Sequence, residues 1–209
     1  MNKRPITLSK TRLMHGLQCH KALYYDLYQP KLAAPITDDQ QALFDQGREV
    51  GELAREKFPG GTLIDAPPWD WDQAIRKTRA ELDAGANTIY EAAFGFDRFF
   101  CRVDILHRSD PMGRWSVIEV KSTTSVKEDH ISDVAIQCWI LSRNNMELEG
   151  AHVMHINNLC RYPELENLFT LTDVTQQIRD AYPTVTKKMG DLYSVATKGV
   201  EPQIPIGPY

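Results

Sequence analysis

Thr88-Ile-Tyr-Glu-Ala-Ala-Phe94, Arg98-Phe-Phe-Cys-Arg-Val-Asp-Ile-Leu106 and Trp115-Ser-Val-Ile-Glu-Val-Lys121 are three consecutive runs rich in aromatic and β-branched residues. Such runs favour strands because branched and aromatic side chains pack well on a pleated, half-buried surface. Their separators, Gly95-Phe96-Asp97 and Ser109-Asp-Pro-Met-Gly113, carry turn chemistry. Three strands with short connections predict an antiparallel meander, and this meander decides the fold class.

Outward from the meander the pattern turns helical. Upstream, Leu13, Leu17, Leu23, Tyr24 and Leu27 fall near helical spacing between Ser9 and Tyr28, with Ser9 or Thr11 as N-cap, and predict one or two short helices. Asp38 or Asp39 is expected to start a helix running through Ala42, Phe44, Val50, Leu53 and Ala54 to Phe58, where Pro59-Gly60-Gly61 ends it. A short strand is expected at 62–65, then an amphipathic helix from Asp70 to Gly85. Downstream the order is a helix over about 131–143, a strand over 151–157 and a helix from near Asp173 that Pro183 should kink or split. The expectation is an α/β (α+β) chain: helices, a β meander, then α, β, α.

The 209 residues suffice for one sizeable core. A hydrophobic fraction of 42% and a charged fraction of 25% are ordinary for a globular protein, and no apolar run approaches the roughly 20 residues needed to span a bilayer. The start, Met1-Asn2-Lys3-Arg4-Pro5, is not followed by an apolar stretch of the kind a secretory signal needs, so a cytoplasmic location without membrane association is expected. Cys19, Cys101, Cys138 and Cys160 are scattered without a CxxC pair, which predicts reduced thiols. The net charge of -4 gives no global footprint for nucleic acid. A local basic cluster, Lys3, Arg4, Lys10, Arg12, His15, His20 and Lys21, reads equally as a contact patch or a solvated face.

Chemistry concentrates on the second and third strands of the meander. Side chains at i and i+2 of a strand share a face, so Glu119 and Lys121 point the same way while Val120 packs opposite. A tight turn between the strands can set Asp104 across from Glu119, giving two hard oxygen donors and an ammonium at one place. Mg²⁺ or Mn²⁺ on Asp104 and Glu119, with the Val120 carbonyl as a further ligand and Lys121 on developing charge, would suit phosphodiester hydrolysis. By spacing alone a solvated strand face is the better reading, since alternating charges on exposed strands are common. His152 and His155, three apart on a strand, lie on opposite faces and make no metal pair. Trp69, Trp71, Trp115 and Trp139 could stack on unpaired bases, though packing is the commoner fate of tryptophan.

Cys101-Arg102-Val103-Asp104-Ile105-Leu106, Val117-Ile118-Glu119-Val120-Lys121-Ser122 and Asp133-Val134-Ala135-Ile136-Gln137 together resemble, in order, the core motifs of RecB-type PD-(D/E)XK nucleases. That resemblance implies a restriction-endonuclease-like fold, a mixed central sheet flanked by helices, and divalent-metal-dependent cleavage of DNA. It implies Asp104 and Glu119 as metal ligands, Lys121 as the catalytic lysine and Gln137 as a helix-borne residue beside them. The segment from Ser9 to Tyr28, with Cys19 and Tyr24-Tyr25, is similar to the opening of CRISPR-associated iron-sulfur nucleases. In those an early cysteine joins three later ones around a 4Fe-4S cluster; Cys19 occupies the early position, the C-terminal three are absent, and no cluster is expected in this chain. Cys101, Cys138 and Cys160 are expected within core elements instead.

The resemblance implies an N-terminal helical segment over 1–30, a nuclease core over 31–200 and an extended tail over 201–209. It also implies that a cysteine-bearing segment or second domain would follow Tyr209, and that the partner is DNA, as single strands or ends. One departure stands out: where the RecB-type pattern has Gly-x-x-x-His, this chain has Gly47-Arg48-Glu49-Val50-Gly51, with glycine in the histidine slot. Glu52, Glu49 and Glu91 are the candidate replacements. Retention of Asp, Glu and Lys favours an enzyme; the missing histidine and incomplete cysteine set favour a catalytically silent module that binds nucleic acid or protein.

Overall fold

A computed structural model describes residues 6–204. Lys3 and Arg4 of the basic cluster, and residues 205–209 of the expected tail, lie outside the described residues. The elements run β1 (Leu8–Ser9), α1 (Lys10–Gln18), α2 (His20–Tyr28), α3 (Asp38–Arg55), β2 (Thr62–Leu63), α4 (Trp71–Asp83), β3 (Thr88–Phe96), β4 (Phe99–His107), β5 (Trp115–Lys121), α5 (Glu128–Arg143), β6 (Leu148–Ile156), β7 (Phe169–Asp173) and α6 (Thr175–Lys198). A 3-10 turn, Pro30–Leu32, joins α2 to the loop before α3.

The strands form one mixed seven-stranded sheet, ordered β2-β3-β4-β5-β6-β7 with β1 beside β4. The expected meander is its centre: β3, β4 and β5 are antiparallel neighbours. β5 and β6 are parallel, with α5 as their crossover, as parallel neighbours require. The architecture is mixed α/β, a seven-stranded sheet flanked by six helices, consistent with a restriction-endonuclease-like fold.

The register around β4 creates the main irregularity of the sheet. β3 pairs with β4 along its length, from Thr88 opposite His107 to Phe96 opposite Phe99. The other edge of β4 is shared. β5 pairs only with Ile105, Leu106 and His107, while β1 pairs with Phe99 and Phe100. Residues 101–104 therefore face a fork where β5 and β1 diverge, and α1 begins at Lys10, immediately after β1.

One apolar cluster fills the side covered by α5, α6, α1 and α4, with Val117, Val134, Ile136, Ile140, Val153 and Leu192 among its buried members. A smaller one, Ala54, Tyr90, Ile105, Ile118 and Met154, lies under the end of α3. Only Val50 and Ala54 of α3 are buried, so most of this 18-residue helix stands clear of the core.

Thr37 rather than Asp38 or Asp39 caps α3, in a capping box with Gln40. Asp70 caps α4 by accepting from the Gln73 N–H, and α4 stops at Asp83 because Gly85, at φ 83, supplies the left-handed residue that ends it. Pro183 does not split the last helix: α6 is continuous over 24 residues. Proline removes one internal hydrogen bond, while Ile178 on one side of it and Val185, Met189, Leu192 and Ala196 on the other remain buried against the same core. Cys101 and Cys138 are buried, as expected for core elements, whereas Cys160 lies in the turn between β6 and β7 and is half-buried. β7 is an edge strand whose alternating Phe-Thr-Leu-Thr-Asp is largely exposed. Among the described residues no helix is long and apolar enough to cross a membrane.

Gly16 marks the closest approach of helices. A Cβ there would stand 2.6 Å from Leu192 Cδ2 and 3.0 Å from Leu23 Cδ2, both on fully buried leucines. Gly190, on α6, has nothing within 4 Å of such an atom. Gly16→Ala should therefore destabilise the fold by about 1–3 kcal/mol through overpacking, lowering Tm by several degrees. Gly190→Ala should raise stability by up to about 1 kcal/mol through helix propensity. Thermal melts of the two variants check the contrast; equal shifts would mean that α1 and α6 are not packed this tightly.

Candidate active site

Glu119 and Lys121 share the α5-facing side of β5, as the two-residue repeat requires, and α5 presents Asp133 and Gln137 to them one turn apart. Lys121 Nζ donates to Glu119 Oε1 at 2.6 Å and to Asp133 Oδ2 at 2.7 Å. Gln137 Nε2 donates to Glu119 Oε2 at 2.7 Å and to Asp133 Oδ1 at 3.1 Å. The two carboxylates fix the orientation of the amide, because only its NH₂ end can donate to them. Gln137 Oε1 is then buried without a partner among the described residues. Glu119 is 2% exposed, Asp133 6% and Gln137 0%.

A fifth group closes the cluster. Lys10 Nζ donates to both oxygens of Glu119 at 3.0 Å and lies 3.1 Å from Asp133 Oδ1. In sequence Lys10 is one member of a basic cluster that reads equally as a contact patch or a solvated face; what brings it inward is the pairing of β1 with β4, which starts α1 beside the fork. Asp133 stands in the sequence only as the first residue of the third motif. The signal that could have found it is its i, i+4 spacing from Gln137, which puts both on one helix face.

Asp104 sits at the fork. The Val120 N–H donates to Asp104 Oδ2 at 2.7 Å, so a carboxylate takes the place of a ladder bond just beyond the last β4–β5 pair, Ile105 with Ile118. On the other flank of β4, Glu91 holds a left-handed backbone at φ 56, in the gap of the β3 register between Tyr90 and Ala92. A non-glycine residue there costs about 1–3 kcal/mol and persists only where its surroundings enforce it. Here Arg55 of α3 pairs with the Glu91 carboxylate at 3.2 Å.

Between α3 and the strands lies a cleft of about 210 Å³, lined by Gly47, Arg48, Gly51, Arg55, Glu91, Asp104, Glu119 and Val120. It joins the carboxylates to the glycine-bearing face of α3. The structure thus brings Asp104, Glu119, Lys121, Gln137 and Val120 into one neighbourhood. Glu49 and Glu52 are exposed and line no part of the cleft, since Gly47 and Gly51 occupy the inward face of the helix. Of the three suggested replacements for the absent histidine, only Glu91 lines the cleft. His155 bonds Thr172 Oγ1 on β7. Trp71 stacks on Phe100 at 4.7 Å, Trp115 lies under Arg108 and Trp139 packs edge-on to Phe99; only Trp69, 82% exposed, faces solvent.

The charges are strongly interdependent. Burial raises the Asp104 carboxyl above the usual range, with Lys10 opposing and Glu91 adding to the shift. Burial, then repulsion by Asp104 and Asp133, pushes Glu119 up to about 7 despite its lysine partners. Burial would also raise Asp133, but Lys10 and Lys121 outweigh it and hold that carboxyl well below its usual range. Both ammoniums are held above the ordinary lysine value because their carboxylate partners outweigh the cost of burial.

The donor set suits a hard divalent cation in kind: oxygen ligands on neighbouring strands, the buried Glu119 carboxylate and the half-buried Asp104 carboxylate that repels it. It is a lean set. Among the described residues no three His, Cys, Asp or Glu side chains group closely enough to hold one ion, so Asp104 and Glu119 would have to be completed by main-chain or water oxygens. Cys19 lies at the junction of α1 and α2 with no such group around it.

No protein-family profile matches the chain, and no curated protein matches it. Among solved structures it is similar to an alkaline exonuclease, LHK-Exo, from Laribacter hongkongensis. The two share 12% identity at a TM-score of 0.50 over 92% of this chain and 90% of that one. It is also similar to a protein described as SSO0001, at 14% identity and a TM-score of 0.44 over 98% of this chain and 82% of that one. At these identities the likeness to the exonuclease is one of fold.

The Glu119 shift makes stability depend on pH. A carboxyl whose folded value, about 7, exceeds its ordinary 4.5 binds its proton more tightly in the native state. Its contribution is fully present below about pH 4.5 and is lost as pH rises through 7. Asp104 acts in the same direction, and Asp133, held low, acts only in more acidic solution. His107 and His130, held below the ordinary imidazole value by burial, act oppositely over the same interval. The Glu119 contribution is therefore read in chelator-treated buffer as the Tm of wild type minus that of Glu119→Gln, which should decrease between about pH 5 and 8; a difference that increases over this interval would contradict the assignment.

Proposed function

We propose that the chain is a PD-(D/E)XK-type nuclease of the RecB kind, hydrolysing phosphodiester bonds of DNA with Mg²⁺ or Mn²⁺. The observation that carries this reading is the convergence of Asp104, Glu119 and Lys121 at the β4–β5 fork, beside a cleft that α3 leaves open. The exonuclease-like fold supports it. Asp104 and Glu119, with the Val120 carbonyl, would hold the cation; when bound it would polarise the phosphate and ready a water. Lys121, anchored by Glu119 and Asp133, is placed to meet negative charge developing on the phosphate. Gln137 braces Glu119 and keeps its carboxylate from rotating away. Arg48 on the opposite wall would meet a flanking phosphate, Arg55 there being paired with Glu91. The DNA would enter as a single strand or an end.

The second reading, a silent module that binds nucleic acid or protein, is favoured by one observation. Gly51 lines the cleft where a histidine ligand would stand, leaving two carboxylates and, among the described residues, no group of three acidic, histidine or cysteine side chains.

Cleavage decides between them. With Mg²⁺ or Mn²⁺ the protein should cut single- or double-stranded DNA, and Lys121→Ala should slow cutting about 10²–10³-fold, the usual loss for one preorganised electrostatic contact. Asp104→Ala should abolish both cutting and Mn²⁺ binding. A wild type that leaves every substrate intact while binding DNA would establish the silent module.

A further inference from the structure

Two lysines serve the buried cluster, and the catalytic reading above uses only Lys121. Lys10 reaches it from near the start of the described chain, 109 residues from Glu119 in sequence, and contacts the same two carboxylates as Lys121, through three oxygens where Lys121 uses two. Its side chain is 20% exposed, close to the 23% of Lys121, so neither belongs to the solvated surface. Holding an ammonium this deep needs full compensation, which Glu119 and Asp133 supply.

The charge count shows what Lys10 changes. With all three carboxyls ionised, as a bound cation would hold them, Lys10 and Lys121 set two positive groups against Glu119, Asp133 and Asp104, leaving the cluster one net negative charge; Glu91 is neutralised separately by Arg55. A divalent cation would turn that into one net positive charge, which a phosphodiester carrying one negative charge then matches. Without Lys10 the empty site would carry two negative charges. It would take the cation more tightly, and the loaded site would offer the phosphodiester no net attraction.

We propose that Lys10 is a positioning residue of this site that acts through Glu119 and Asp133 as a standing counter-ion, trading divalent-cation affinity for affinity toward a phosphodiester. The inference rests on the nuclease reading, yet its first test needs no cleavage.

Titration calorimetry with Mn²⁺ alone should show Lys10→Met binding the ion on the order of ten-fold more tightly than wild type. Lys10→Arg should stay close to wild type. Asp133→Asn, which removes a negative charge from the same cluster, should weaken Mn²⁺ binding. In chelator Lys10→Met should melt lower than wild type, and Mn²⁺ should recover more of its Tm than it adds to wild type. Where wild type cuts, KM for a short oligonucleotide should rise about ten-fold in Lys10→Met and little in Lys10→Arg.

A purely structural lysine predicts the opposite sign: losing it would loosen Glu119, and Lys10→Met would bind Mn²⁺ no better than wild type or worse, which overturns the proposal. Should Lys10→Met fail to fold even with Mn²⁺, unchanged or tighter Mn²⁺ binding by Asp133→Asn overturns it, and weaker binding supports it. If wild type binds no Mn²⁺ while Lys10→Met does, the counter-ion role stands and the nuclease reading falls. If neither binds Mn²⁺, both fall.

Discussion

The Asp104 carboxylate accepting from the Val120 N–H is the contact on which the rest of the site depends. β4 and β5 pair for only three residues before they part, and a strand that leaves its neighbour exposes backbone groups that must find partners. Asp104 satisfies one of them with a side chain. This pins the start of the divergence and leaves the carboxylate beside Glu119 without a backbone ladder between them. β1 then takes up the remaining edge of β4, so the gap stays a few residues wide.

From that fork the charges follow. Glu119 is too buried to stand alone, and lysines from two distant elements, with an amide and a carboxylate from α5, surround it. In such a cluster the loss of one partner strands a buried charge, at a cost of about 3–5 kcal/mol, so the members stabilise one another more than they stabilise the fold. α3, mostly outside the core, adds the wall opposite and brings glycine where bulk would close the cleft.

Much of this was legible in the sequence because it is periodic or local. The meander followed from residue type and turn chemistry, the shared face of Glu119 and Lys121 from the strand repeat, and the Asp70 cap from its spacing to Gln73. The contributions of Lys10, Asp133 and Glu91 were not. A lysine directly after a two-residue strand gives no sign of which sheet edge that strand will join. The left-handed turn at Glu91 is enforced by its surroundings rather than by its own preference. β7 escaped because its side chains alternate without burying a face, and Pro183 misled because packing along both halves of α6 outweighs one missing hydrogen bond.

The pairing of β1 with β4 carries a consequence for assembly. The residues that complete the cluster come from position 10, positions 104–121 and positions 133–137, so it forms only after a long loop has closed. During synthesis Lys10 must wait for α5 before its ammonium finds both carboxylates. A chain trimmed at its start would keep the sheet centre yet lose the ion that balances it. Competence of the site therefore reports that both ends of this span have come together, and it makes Leu8, Ser9 and Lys10 as much a part of the centre as the strands that carry the acids.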